Sequence, residues 1–188
     1  MKNAAAEKKP STNNPTMSST ATLRANARRK IEEGAVTVGY AANSDQVVKM
    51  LNDALATEIV CMLRYKRHHF MATGVHAESV AAEFLEHATQ EEEHADAIAK
   101  RIVQLGGAPD FSPDTLTKRS HAEYVPGKTL LDMIKEDLVA ERIAIDSYKE
   151  MIEVIGNGDP TTRRMIEWIL AVEEEHADDL AGLLDAGR

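Results

Sequence analysis

The chain has 188 residues, enough for one domain with a sizeable core, and a net charge of −9. Aromatics make up only 4%, so Ala, Leu, Ile, Val and Met must fill that core, a palette that suits helices. One Cys excludes an intrachain disulfide and fits a reducing, cytoplasmic setting, and no apolar run reaches the ~18 residues of a membrane span.

The charge is unevenly spread. Residues 1–30 hold seven Lys or Arg and one acid, whereas residues 31–188 hold 15 bases against 30 acids. A basic arm is thus attached to an acidic body that attracts cations rather than nucleic acid. Residues 1–40 are rich in Ser, Thr, Asn, Ala and Lys and poor in large apolar side chains, which predicts a disordered arm. A short helix around 22–33 is within its reach. The arm has three readings: a DNA-binding tail over 1–30 acting by counterion release, an organelle transit peptide, or an inert extension. No charged segment followed by an apolar core opens the chain as a secretory signal would.

Four long helices follow within 41–188. The first spans about 44–73, with Asn43 and Gln46 resembling a capping box and Gly74 placed as a C′ residue. Leu51, Leu55, Glu58, Met62 and Tyr65 share one face of it. The second runs from about 77 to 105 and stops at Gly106-Gly107. The third starts after Gly127, capped by Thr129 with Asp132 at N3, and ends at Ile155. The fourth opens on Asp159-Pro160, a cap followed by proline at N1, and reaches about Leu184. No stretch alternates like a strand.

The first-to-second and third-to-fourth links are short, so those pairs are antiparallel hairpins. The middle link, about 107–128, is long. A helix of about 28 residues is roughly 42 Å long, and about twenty extended residues reach roughly 66 Å. The link can therefore cross the bundle and set the second and third helices parallel. The fold class is all-α, a four-helix bundle with one long crossover between the second and third helices.

The halves repeat. "EEEHAD" occurs at 91–96 and at 173–178, and Glu precedes Tyr by seven in both Glu58–Tyr65 and Glu141–Tyr148. The offset is 83 residues for the Glu-Tyr pair and 82 for the Glu-His pair. A single Glu-x-x-His on an acidic helix is usually a solvated face. Here Glu91 with His94, and Glu173 with His176, each project from one helix face, while Glu58 and Glu141 interrupt apolar stretches. Burying unpaired Glu is costly. One set per helix, four carboxylates and two imidazoles, matches a dinuclear carboxylate site in a bundle core. Four carboxylates neutralise two divalent ions, and mixed O/N ligation suits iron or manganese. The flanking Glu92, Glu93, Glu174 and Glu175 should face water.

The stretches "LATEIVCMLRY", "EEEHADAIAKRIVQLGGAPD", "EDLVAERIAIDSY" and "VEEEHADDL" resemble the ferritin-like di-iron proteins, in particular the bacterioferritins and the Dps-like mini-ferritins. The resemblance implies a homo-oligomeric cage that oxidises Fe(II) to Fe(III) with O₂ or peroxide at a di-iron site and stores the product as mineral. It implies terminal carboxylates at Glu58 and Glu141, bridging carboxylates at Glu91 and Glu173, and imidazole ligands at His94 and His176. Tyr65 falls where such proteins keep a tyrosine beside the metals, to donate an electron or a hydrogen bond; a satisfied core aromatic is the alternative. Tyr148 has the same formal position.

Two departures from bacterioferritins stand out. Their haem-binding methionine directly follows the bridging Glu of the second helix; Glu92 occupies that position, so no haem is expected. Only twelve residues follow His176, too few for a fifth helix, which favours a twelve-subunit shell over a 24-subunit cage. Dps-like proteins proper place their iron site between subunits, so this chain combines a Dps-like shell with a site inside the bundle. Archaeal-type relatives keep a cysteine pair near the metals, but Cys61 is alone and is expected to be a buried small hydrophobe. His68, His69, His76, His87 and His121 are expected in surface or core roles, and Trp168 in packing. The rival readings are a Dps-like DNA-protecting protein using peroxide, a rubrerythrin-like peroxidase, disfavoured by the lack of any Cys-x-x-Cys pair, and a purely structural bundle.

Overall fold

In the computed structural model, residues 16–75 and 77–186 are described. They form six helices: α1 (Thr20–Asn26), α2 (Ser44–Met71), α3 (Ala77–Gln104), α4 (Leu116–Arg119), α5 (Leu130–Ile155) and α6 (Pro160–Ala186). No strand occurs among the described residues. Local chemistry sets the helix starts. Asn43 Oδ1 accepts from the Gln46 amide at 3.2 Å, and Thr129 and Asp132 form a reciprocal capping box. Asp159 Oδ1 accepts from the Thr162 amide at 2.9 Å just ahead of Pro160. At the other end of α2 the chain departs from expectation. The helix stops at Met71 with Ala72 extended, and Gly74, at φ 126°, serves the turn rather than the helix C′ position.

The pairs α2/α3 and α5/α6 pack as hairpins, and α2 with α5 and α3 with α6 close the four-helix bundle. The crossover is pinned along α2 from end to end. Asn52 Oδ1 accepts from the Asp110 amide, Thr57 Oγ1 from the His121 amide, and the carbonyls of Glu123 and Pro126 accept from Arg64 and Arg67. The order rises along both segments, so the crossover returns the chain to the end of the bundle where α3 began. α3 and α5 are therefore parallel. The crossover also contains the one-turn α4, whose Leu116 is buried. Gly127 makes the entry into α5 possible: its φ is 61°, and a Cβ there would lie 2.9 Å from the Met133 side chain.

Two apolar clusters fill the interior. One holds Leu51, Leu55, Ile98, Ile102, Ile166, Ile169 and Met151; the other holds Tyr65, Phe84, Ala88, Ile134 and Leu180. They are separated along α3, α5 and α6 by the acidic residues of the repeated motif.

Residues 1–15 of the basic arm lie outside the described residues. Over 16–40, α1 buries none of its residues, whereas Val36 and Tyr40 pack against the first apolar cluster. The Tyr40 hydroxyl donates to Asp159 Oδ2 at 2.9 Å. No helix of the described residues is long and apolar enough to cross a membrane.

Candidate metal centre

Each long helix delivers its share of the repeated motif to the bundle axis. Glu58 comes from α2, Glu91 and His94 from α3, Glu141 from α5, and Glu173 and His176 from α6. All six are at most 2% exposed. Their neighbours Glu92, Glu93, Glu174 and Glu175 are exposed, as the helical spacing requires.

The donor atoms fall into two overlapping groups. Glu58, Glu91, His94 and Glu173 each offer one atom within 4.8 Å of the others, and so do Glu91, Glu141, Glu173 and His176. Glu91 and Glu173 belong to both groups, the placement a bridging carboxylate needs. His94 Nδ1 lies 3.2 Å from Glu58 Oε2 and 3.0 Å from Glu173 Oε1. His176 Nδ1 lies 3.2 Å from Glu173 Oε2, 3.7 Å from Glu91 Oε1 and 3.9 Å from Glu141 Oε2.

His94 Nδ1 hydrogen-bonds Glu58 Oε2, but most of the other donor atoms are left over. Glu91 Oε1, Glu141 Oε2, both Glu173 oxygens and His176 Nδ1 are buried with no hydrogen-bond partner. Lone pairs that converge without donors are strongly unfavourable in a dry interior. A pair of divalent cations, each about 2 Å from its ligands, is what this donor set fits.

The electrostatics point the same way. Burial, and then the charge of Glu173, push Glu58 and Glu91 well above the usual carboxylate range, and Glu141 is raised by the same two causes. Burial also opposes ionisation of Glu173, but its contacts with His176 and His94 outweigh it and hold that carboxyl low. Burial opposes charge on His176, yet Glu141 and Glu173 outweigh it and raise the imidazole to about 11.

Surrounding groups hold the ligands. His176 Nε2 is fixed by Gln90 Oε1 at 2.7 Å, an amide oxygen reaching it from α3. Such a contact sets the imidazole's tautomer and rotation. The Tyr65 hydroxyl donates to Glu141 Oε1 in a very short hydrogen bond, and burial, then Glu141, raises its pKa far above normal. Tyr65 therefore reaches across from α2 to the α5 ligand. Tyr148, its counterpart in the repeat, is equally buried, and its hydroxyl has no partner.

A profile of the ferritin-like domain family matches residues 48–188. The chain belongs to the ferritin-like family.

Its similarities spread across two branches. The bacterioferritin of Brucella melitensis is 28% identical over 141 residues, spanning 74% of this chain and 83% of that protein. The nutrient stress-induced DNA-binding protein of Synechococcus is 29% identical over 144 residues, spanning 75% and 82%. Among solved structures, a dodecameric thioferritin, the bacterioferritin-related protein of Bacteroides fragilis, superposes with a TM-score of 0.75 at 30% identity. That match covers 79% of this chain and 90% of the other. Dps from Thermosynechococcus elongatus shares the fold, with a TM-score of 0.72 at 22% identity.

Several groups around the ferritin-like centre escaped sequence reasoning. Trp168 is not a packed core residue: it is 46% exposed, and its ring stands perpendicular to His94 with centroids 5.1 Å apart. His87 stacks on His176 with centroids 4.0 Å apart; burial, then His176, lowers its pKa to about 3. Below the centre, Asp137 is fully buried and accepts from Arg64 Nε and His68 Nδ1, each at 2.7 Å. Asp137 stands one turn before Glu141 and was legible only as one more acid on α5. Cys61 is buried as expected, its Sγ facing Arg64 Nη2 at 3.7 Å.

Proposed function

We propose that this ferritin-like chain is an iron-storage ferroxidase that oxidises Fe(II) inside its own bundle. The observation that carries the reading is the set of five buried donor atoms without hydrogen bonds on Glu91, Glu141, Glu173 and His176, arranged so that two carboxylates serve two cations. Fe(II) is the substrate. Glu58 with His94 would bind one ion and Glu141 with His176 the other, with Glu91 and Glu173 shared. Four carboxylates balance the charge of two Fe(II) and favour the more highly charged Fe(III) product, so the same groups lower the barrier to electron loss. Each ion gives one electron to the oxidant. Peroxide takes two electrons and two protons and becomes two waters.

Tyr65 would steady Glu141 through its hydroxyl, and Gln90 would steady His176. The apolar clusters on either side exclude bulk water. The resident metal reading is iron. The motif position of the haem-binding methionine is held by Glu92, which does not suit an axial haem ligand. The 30% identity to a dodecameric relative supports a twelve-subunit homo-oligomeric shell.

Stopped-flow mixing with Fe(II) and either O₂ or peroxide tests the reading. Acceleration over buffer is expected, and it should be lost in Glu173→Gln. An identical rate with and without protein would refute it, and light scattering would reveal the shell.

A second reading, DNA protection, is favoured by the similarity to a DNA-binding relative and by the exposed Arg24, Arg28, Arg29 and Lys30 of the arm. Arms displayed on every subunit would act by avidity. A gel shift that survives deletion of residues 1–30 would rule out the arm as its source.

A further inference from the structure

A second constellation sits beside the dinuclear cluster and shares no residue with it. Glu83 and His87 are one turn apart on α3, and Asp179 faces them from α6. One donor atom of each lies within 4.8 Å of the others. His87 Nε2 is 3.4 Å from Glu83 Oε1 and 3.8 Å from Asp179 Oδ2. His87 is buried, while the side chains of Glu83 and Asp179 are 34% and 56% exposed, so the group opens to solvent on one side.

The hydrogen-bond network assigns the imidazole's proton. Tyr65 gives its hydroxyl hydrogen to Glu141, so its oxygen can only accept from His87 Nδ1, 3.3 Å away. Nδ1 therefore carries the hydrogen, and Nε2 presents a lone pair. That lone pair is aimed from a buried ring at two carboxylates, which are acceptors too. Three acceptors converging with no donor between them is the arrangement a cation resolves. Donors bound at about 2.0–2.2 Å to a first-row ion lie roughly 3–4 Å apart, as these do.

We propose that Glu83, His87 and Asp179 form a separate site for one divalent first-row cation at the solvent edge between α3 and α6. Two carboxylates neutralise one such ion, and imidazole with carboxylate ligation selects ions of the iron–manganese–zinc class over calcium. Only three protein ligands are supplied and two are solvent-exposed, so water completes the shell and the ion exchanges readily. His87 stacks on His176, which places the site one imidazole away from the dinuclear cluster. Given the ferroxidase reading, on which this role alone rests, it is a staging post where Fe(II) sheds water on its way to or from the centre.

Crystals of the full chain soaked in Mn²⁺ at the concentration that fills the dinuclear pair, measured for anomalous scattering, test the site. A peak among Glu83, His87 and Asp179 is expected in the wild type. It should vanish in the double substitution Glu83→Gln and Asp179→Asn, whose surface positions spare the fold, while the dinuclear peaks persist. A filled dinuclear pair with no third peak overturns this inference and leaves the ferroxidase reading standing. So does a third peak that persists in the double variant. A peak here beside an unfilled six-residue cluster upholds this site and counts against the ferroxidase reading. No peak in either place overturns both.

Discussion

Two buried polar clusters in this bundle differ in completeness. Near the start of α6, Asp159 accepts from the Thr162 amide and hydroxyl, from Arg101 Nη2 and from Tyr40. Arg101 Nε in turn donates to Thr162 Oγ1 at 2.8 Å. Protein donors close that cluster. In the middle of the bundle, four carboxylates face two imidazoles and leave five buried atoms without hydrogen bonds. A closed cluster strengthens the fold and has no capacity left for a ligand. An open one weakens the fold until cations complete it. Completeness therefore separates a cluster that stabilises the fold from one that awaits a ligand.

The sharpest way to break that contrast is to open a closed cluster. Asp137 ties Arg64 and His68 to α5. Asp137→Ala leaves the guanidinium buried without its counter-ion and should cost about 4 kcal/mol in urea unfolding. A loss below about 1 kcal/mol would mean that closure does not stabilise. Substituting within the open cluster should do the reverse. Glu91→Gln should abolish the acceleration of Fe(II) oxidation yet leave the metal-free protein's melting temperature unchanged or higher, because burial and then the charge of Glu173 already disfavour the ionised Glu91 carboxyl. In the wild type, a saturating divalent cation should raise that temperature; the variant should show a much smaller rise.

Asp159 sharpens the contrast through pH. Burial alone would raise its pKa, but hydrogen bonds from Thr162 and Arg101 outweigh burial and hold it below the usual aspartate range. A depressed carboxyl stabilises the fold above its unfolded pKa and loses that contribution as pH falls through the folded value. Asp159→Asn should therefore cost about 2 kcal/mol near neutrality, and the two melting curves should converge below about pH 4. The smallest effects come from the two tyrosines. Tyr65→Phe removes a satisfied hydroxyl and should cost about 1 kcal/mol. Tyr148→Phe removes an unpartnered one and should cost nothing measurable by the same denaturant titration.

Much of this was legible in sequence because it is periodic or local. Helix ends came within a few residues, since Asn43, Thr129 and Asp159 cap through contacts three residues away. The six candidate ligands stood out because the motif recurs at nearly equal spacing, and the structure gathers all six. What stayed hidden depends on long-range pairing. His68 looked like one of several scattered histidines until the fold brought Asp137 to it, 69 residues later. Gln90 immediately precedes the motif, but its task is set by His176 from another helix. Trp168 was legible only as packing, because its contact with His94 runs from α6 to α3. The turn in the crossover at Leu116–Arg119 is too short to carry a periodic signal.

The repeat of the hairpins, offset by one residue between its two parts, also bears on ancestry. Each hairpin carries one lone Glu and one Glu-x-x-His, half of the donor set, and Glu91 and Glu173, one from each hairpin, belong to both donor groups. A primordial single hairpin would have had to self-associate as an isologous pair to assemble such a site. Fusion of two copies would free each half to diverge, and the two tyrosines, Tyr65 bonded to Glu141 and Tyr148 with an unpartnered hydroxyl, are where the halves differ in the innermost layer.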